Sequence, residues 1–156
     1  FFDTINAMLL YIEEFPETLH HPKESELLFP RVLAAAPQVG AAIQRLESDH
    51  QHGVRAVREL QHLLLKWQFL GDNFGDAFGD ALARYVAAYR AHMELEESQI
   101  LPAAIDSLSE QDWAALDLAF AANEDPLTGH HRPSELYEAL FHRIVHHAPA
   151  PIGLGA

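Results

Sequence analysis

The chain contains no cysteine, which excludes disulfides, thiolate zinc sites and cysteine nucleophiles together. That absence fits a reducing cytoplasm. Basic residues are also few: 10 Lys and Arg stand against 23 Asp and Glu, a net charge of −13, so no electrostatic grip on nucleic acid or anionic lipid is expected. No apolar run approaches the roughly 18 residues of a membrane span, and no signal peptide is visible, so no membrane partner is expected either. Ser and Thr are scarce and form no Ser/His/Asp arrangement, and the glycines form no phosphate cradle. What remains is a chain of 156 residues with 49% hydrophobic and 21% charged residues, the composition of one folded domain over 1–156. Histidine is the outlier, present 11 times.

Apolar residues recur at helical spacing nearly end to end, and no stretch alternates long enough for a strand, so the fold class is all-α. A first helix runs through Ile5, Met8, Leu9, Ile12 and Leu19 to Val32, with a kink or short break expected at Pro16 and Pro22. A second is expected from Pro37 to about Leu70, ahead of the turn Gly71-Asp72-Asn73. A third begins near Asp76 and passes Glu97, with Pro102 bending or ending it. Ser109 and Asp112 resemble a capping box opening a short helix over Trp113 to Phe120. Residues 123–131 read as loop. A last helix follows Pro133, covers Leu136, Leu140, Ile144 and Val145, and stops at Pro149, leaving an irregular surface tail. The helices over 1–107 carry the candidate site, and 108–156 form a C-terminal helical extension.

Polar residues on the apolar stripes are the informative feature. In the third helix Phe78, Leu82, Tyr85, Tyr89, His92, Glu96 and Ala103 step by three, four or seven, as a bundle seam does. In the second, Ile43, Leu46, His50, Val57, Leu60, Leu64 and Trp67 do the same. In the first, Leu9, Ile12, Pro16, His20, Glu24 and Leu28 form a comparable line, with the prolines blurring its phase. Antiparallel helices rise equally on either side of a turn, so levels should mirror across the breaks. The midpoint between position 22 and His50 is 36, beside Pro37, and the midpoint between His50 and position 94 is 72, inside the Gly-Asp-Asn turn. Three helices thus bring His20, Glu24, His50, His92 and Glu96 to one interior layer.

Burying two carboxylates among three imidazoles costs several kcal/mol per uncompensated ionised group, and the ten basic residues mostly lie off these stripes. One or two metal ions supply the missing positive charge. In His-x3-Glu the side chains stand about 6 Å apart in rise on one helix face, and a carboxylate can bridge two cations. The competing reading is a hydrogen-bonded core network without metal.

Other pairings carry less. Glu17-x2-His20, Glu47-x2-His50 and Glu59-x2-His62 match a ferritin-like element, but Glu17 and Glu47 fall on consecutive helices and leave His92 and Glu96 without a role. Glu47 is retained as a neighbour that could orient His50. His142-x3-His146 reads as solvated surface, and so do His21, His52, His130, His131 and His147. The stretch Asp72 to Asp76 lacks the ligand series of a calcium loop and reads as a turn. Tyr85 and Tyr89 are candidates for the wall of a ligand pocket, with core packing as their default role.

At HHPKESELLFPRV (20–32), LESDH (46–50) and HMELEESQILP (92–102) the chain resembles the hemerythrin-like, or HHE cation-binding, family, and DWAALDLAFAANEDPL (112–127) resembles the C-terminal extension of bacterial members. The resemblance implies an up-down four-helix bundle of hemerythrin type, with extra short C-terminal helices, around a non-haem centre of two iron ions. It implies His20 with Glu24 as one ligand pair, His50 as a lone ligand, and His92 with Glu96 as the other pair, Glu24 and Glu96 bridging. The family's first ligand His sits on a helix preceding the one that begins near Phe1, so the first bundle helix is expected to be missing from this chain. Oxygen-carrying members often place two His four residues apart on the second helix, where this chain has His50 and Val54.

Fewer His ligands leave coordination open for a small ligand such as O2 or NO, or for sensing and handling iron. Two alternatives stand beside this reading: a di-iron enzyme acting on peroxide or NO, or donating iron for iron–sulfur repair, and a metal-free helical interaction module. His with carboxylate also suits zinc or manganese.

Overall fold

The computed structural model describes residues 1–125, 127, 135–150 and 153–155. They are helical throughout, apart from turns and one isolated pairing of Pro149 with Gly155. A first continuous rod, 2–35, contains α1 (Phe2–Ile12), α2 (His21–Lys23) and α3 (Phe29–Ala35), joined by π-helical stretches at Glu13–His20 and Glu24–Leu28. The chain breaks at Ala36, takes a 3-10 turn over Pro37–Val39 and continues as α4 (Gly40–Leu70). Gly71 reverses it with φ of 106°, a conformation that glycine adopts without the Cβ clash. After a 3-10 turn at Asp72–Phe74 the third rod runs through α5 (Gly75–Leu95), a π-helical stretch (Glu96–Ile100) and α6 (Leu101–Ser107).

The kink or short break expected at Pro16 and Pro22 takes the form of π-helical widening within an unbroken rod, and Pro102 does not end the third helix, where Ala104 rather than the expected Ala103 is buried. Each π-helical stretch gives way to α-helix just before a proline: His20 before Pro22, Leu28 before Pro30, Ile100 before Pro102. Proline offers no N–H and its ring strikes the carbonyl four residues back, so widening the preceding turn to i→i+5 bonding lets the rod continue. Every such insertion also advances the residue facing the core by one position.

α7 (Glu110–Ala121) begins at the capping box: Asp112 N donates to Ser109 Oγ at 3.2 Å, and Ser109 N donates to Asp112 Oδ2 at 3.1 Å. Lys23 Nζ donates to Ala119 O at 2.7 Å and to Asn123 Oδ1, which fastens α7 to the first rod. α8 (Glu138–His147) packs on α1 through Ile144 and Ala148 against Ala7. Leu136, expected on that helix, precedes it and is exposed. Leu154 N and Gly155 N donate back to Val145 O and Ala148 O, so the tail caps α8. Pro133, His130, His131 and much of the expected 123–131 loop lie outside the described residues. No helix of the described residues is long and apolar enough to cross a membrane.

The apolar core is split. One cluster gathers Leu28, Phe29, Val32, Ile43, Leu46 and Ile100, and another gathers Leu9, Leu60, Leu64, Phe78 and Ala81. Between them on all three rods lies a layer of buried polar side chains: Glu17, His21, Glu24, His50 and His92. Apolar packing above and below buries that layer, where a polar atom cut off from water costs free energy unless it finds a partner inside.

Candidate metal centre

Glu24 is the hub of the layer and exposes 1% of its surface. It opens the second π-helical stretch of the first rod, where the widened turn aims it across the interior. His20 Nε2 lies 2.8 Å from its Oε1, while His50 Nε2, from α4, faces its Oε2 at 3.2 Å. Neither Glu24 Oε2 nor His50 Nε2 has a hydrogen-bonding partner despite that distance, and both atoms are fully buried. His50 Nδ1 lies 3.0 Å from Ser25 Oγ, so the partner on its far side is Ser25 rather than Glu47. If Nδ1 donates there, Nε2 carries a lone pair pointed at a carboxylate lone pair. Two acceptors at that distance repel unless a cation sits between them.

His21 and His92 complete the group. Ligand atoms of His21, Glu24, His50 and His92, all four buried, lie within 4.8 Å of one another. The His21 ring stacks on that of His50 at 4.3 Å and 8°, and His92 tilts against both at 5.4 and 5.0 Å. Burial, then repulsion from the other two imidazoles, drives the His92 pKa down to about 4, so the ring is neutral at pH 7 and its lone pair is free for a metal. Glu96, half-buried on the third rod, interacts with Glu24. Burial and then the Glu24 charge push Glu96 up to about 8. Burial also opposes ionisation of Glu24, yet the hydrogen bond from His20 holds its pKa well below the carboxylate range. His20 is raised: desolvation works against its charge, but the Glu24 hydrogen bond outweighs it.

The sequence-derived residues are thus placed unequally. Glu24, His50 and His92 meet inside, and Glu96 reaches Glu24 from the third rod. His20, expected to face the core, has a side chain 47% exposed; it contacts Glu24 from the outer side, with its ring edge-on to Phe120 at 5.2 Å. His21, read as surface, is the buried one, at 6%. The extra residue in the π-helical stretch Glu13–His20 explains the exchange, because the straight stripe through Ile12 and Pro16 runs one position out of phase by His20. Glu17 was missed as an interior group for the same reason: it pairs with His21, four residues on, and not with His20. The one signal of the true phase was Phe15, a large aromatic off the stripe, which is 3% exposed. His52, His142 and His146 lie on the surface as expected.

Tyr85 and Tyr89 do more than fill the core. Both line a cavity of about 190 Å³ between α4 and α5, which reaches Glu17, His21, His50 and His92. Burial raises both phenols, Tyr89 to about 12, so they stay neutral walls.

The donors fit a cation on three counts: two orphaned buried atoms face each other, three imidazoles converge with one held neutral, and no Lys or Arg of the described residues pairs with Glu24. The model of the hemerythrin HHE cation binding domain matches residues 4–104, well over half the chain and all of the layer. No curated protein and no solved structure gives a match. With that match spanning the three rods that carry the buried His/Glu cluster, the chain belongs to the hemerythrin HHE cation-binding family.

Proposed function

We propose that the polar layer holds two non-haem iron ions and that the protein binds a small ligand such as O2 or NO there, or handles iron itself. The observation that carries this reading is the pair of buried, unpartnered polar atoms, Glu24 Oε2 and His50 Nε2, 3.2 Å apart. His21, Glu24, His50 and His92 would hold one ion, while His20 and Glu96, on the other sides of Glu24, would serve a second, with Glu24 and Glu96 as bridges. The three rods would then be members of an up-down four-helix bundle. His with carboxylate also suits zinc or manganese, and elemental analysis decides among them.

When bound, iron in such a site supplies an electron-rich centre with open coordination for a diatomic molecule. The protein's part is to present lone pairs and exclude water. Burial keeps His92 neutral at pH 7, and Ser25 orients His50. Glu96 keeps its proton in the metal-free layer because burial, and then the negative charge of Glu24, disfavour its ionisation; a bound cation would take the place of that proton. The apolar clusters above and below shield the layer from solvent.

The cavity beside Tyr85 and Tyr89, about 190 Å³, has room for more than one small molecule next to the layer, which favours a second reading, turnover of peroxide or NO. The test is anaerobic Fe(II) loading of the full chain, elemental analysis, and optical spectra on adding O2, NO or peroxide. Two irons per chain with a ligand-dependent band support binding, and consumption of peroxide or NO supports turnover. A metal-free, featureless product contradicts both.

A further inference from the structure

Behind His21 lies a second enclosed carboxylate, Glu17, whose side chain is 3% exposed. Its Oε2 stands 3.2 Å from His21 Nδ1. Its Oε1 is buried with no partner, and no Lys or Arg of the described residues lies within ion-pair distance of it. The space it occupies is prepared by the opposite rod: a Cβ at Gly53 of α4 would fall 2.7 Å from Oε1 and 3.1 Å from Oε2. Gly53 sits mid-helix, where glycine is unfavourable relative to alanine, so the missing side chain has a packing reason. A buried carboxylate and a glycine that admits it are thus matched across two helices.

The chemistry of the pair fixes its polarity. An ionised carboxylate only accepts hydrogen bonds, so contact with Glu17 puts the imidazole proton on Nδ1 and the lone pair on Nε2. The ring is also held flat, stacked on His50. Without Glu17, nothing else hydrogen-bonded to His21 among the described residues would select that tautomer.

We propose that Glu17 is a positioning residue of the metal centre: it fixes the tautomer and ring angle of His21 from a notch created by Gly53, so that Nε2 is presented to a cation. The inference rests on the metal reading above. It assigns Glu17 no direct contact with the ion, in keeping with its place outside the four residues whose ligand atoms converge. Carboxylates acting through a ligating histidine in this way commonly change metal affinity by about 10- to 100-fold when removed.

The test uses the full chain with Co(II) as probe, in wild type, Glu17→Gln, Glu17→Leu and Gly53→Ala, with helicity checked by circular dichroism. In the metal-free wild type, long-range 1H–15N spectra should show His21 as the Nδ1–H tautomer. Glu17→Leu should lose that signature, bind Co(II) about 10- to 100-fold more weakly and shift its visible d–d bands. Glu17→Gln, which keeps an acceptor at the same place, should recover part of the affinity. Gly53→Ala should weaken binding in the same direction by displacing Glu17. Wild-type His21 protonated on Nε2, or Co(II) affinity and spectra unchanged in Glu17→Leu and Gly53→Ala, overturns the inference. A wild type that takes up no Co(II) instead overturns the metal reading, while the tautomer measurement still judges Glu17.

Discussion

Replacing Glu96 with Gln should stabilise the metal-free protein and weaken the metal-loaded one. In the metal-free layer Glu96 titrates near 8, raised first by burial and then by Glu24. A carboxyl group whose folded pKa lies above its unfolded value favours folding only while protonated. Its contribution is present below about pH 4.3 and is lost as pH rises toward 8. Above that window the wild type carries a destabilising charge that Glu96→Gln lacks. Because Glu96 is only half-buried, the raw shift is discounted for solvent screening to about 1–2 kcal/mol. For a chain of this size that corresponds to roughly 2–8 °C in Tm.

With metal the order should invert. An ion present at 100 times its Kd contributes about 2.7 kcal/mol of stability, and a variant lacking a bridging carboxylate loses most of it. The assay is thermal melting by circular dichroism at pH 5 and pH 9, in chelator and in excess Fe(II) under anaerobic conditions. At pH 9 in chelator the variant should melt higher than wild type, at pH 5 the two should nearly coincide, and metal should raise wild type more. A variant that melts lower in chelator at pH 9, or gains as much from metal as wild type, refutes the reasoning.

His50→Leu removes the unpartnered Nε2 from the layer together with the Ser25 hydrogen bond, and should cut metal affinity at least about tenfold, which Co(II) titration checks. Ser109→Ala removes one arm of the α7 capping box and should cost about 1 kcal/mol, seen as a lower denaturation midpoint with metal content unchanged. Leu46→Ala, at a site with 0% exposure beside the polar layer, should cost about 2–5 kcal/mol in denaturant unfolding. His142→Ala should change neither metal content nor spectrum, because that residue lies on the surface of α8.

The second and third helices were readable because nothing interrupts their periodicity before the site. Ile43, Leu46, His50, Val57, Leu60 and Leu64 are all buried on α4, and Phe78 and His92 on α5. Mirroring across positions 36 and 72 worked because the chain does turn there, at Ala36 and Gly71. The first rod was readable only in part. Its prolines announce an irregularity, but spacing alone does not tell a break from a wider turn, and the π-helical stretch at Glu13–His20 shifts the phase by one. That shift moves His20 outward and brings His21 and Glu17 in. The Gly53 notch was equally hidden, since its meaning depends on a carboxylate 36 positions away.

Anomalous diffraction at the iron edge, from crystals of the full chain loaded with Fe(II), addresses the central claim most directly. A peak between Glu24 Oε2 and His50 Nε2, within reach of His21 and His92, is the predicted result, with a second on the Glu96 side of Glu24. Iron confined to the surface of α8, or no peak inside the layer, would contradict it.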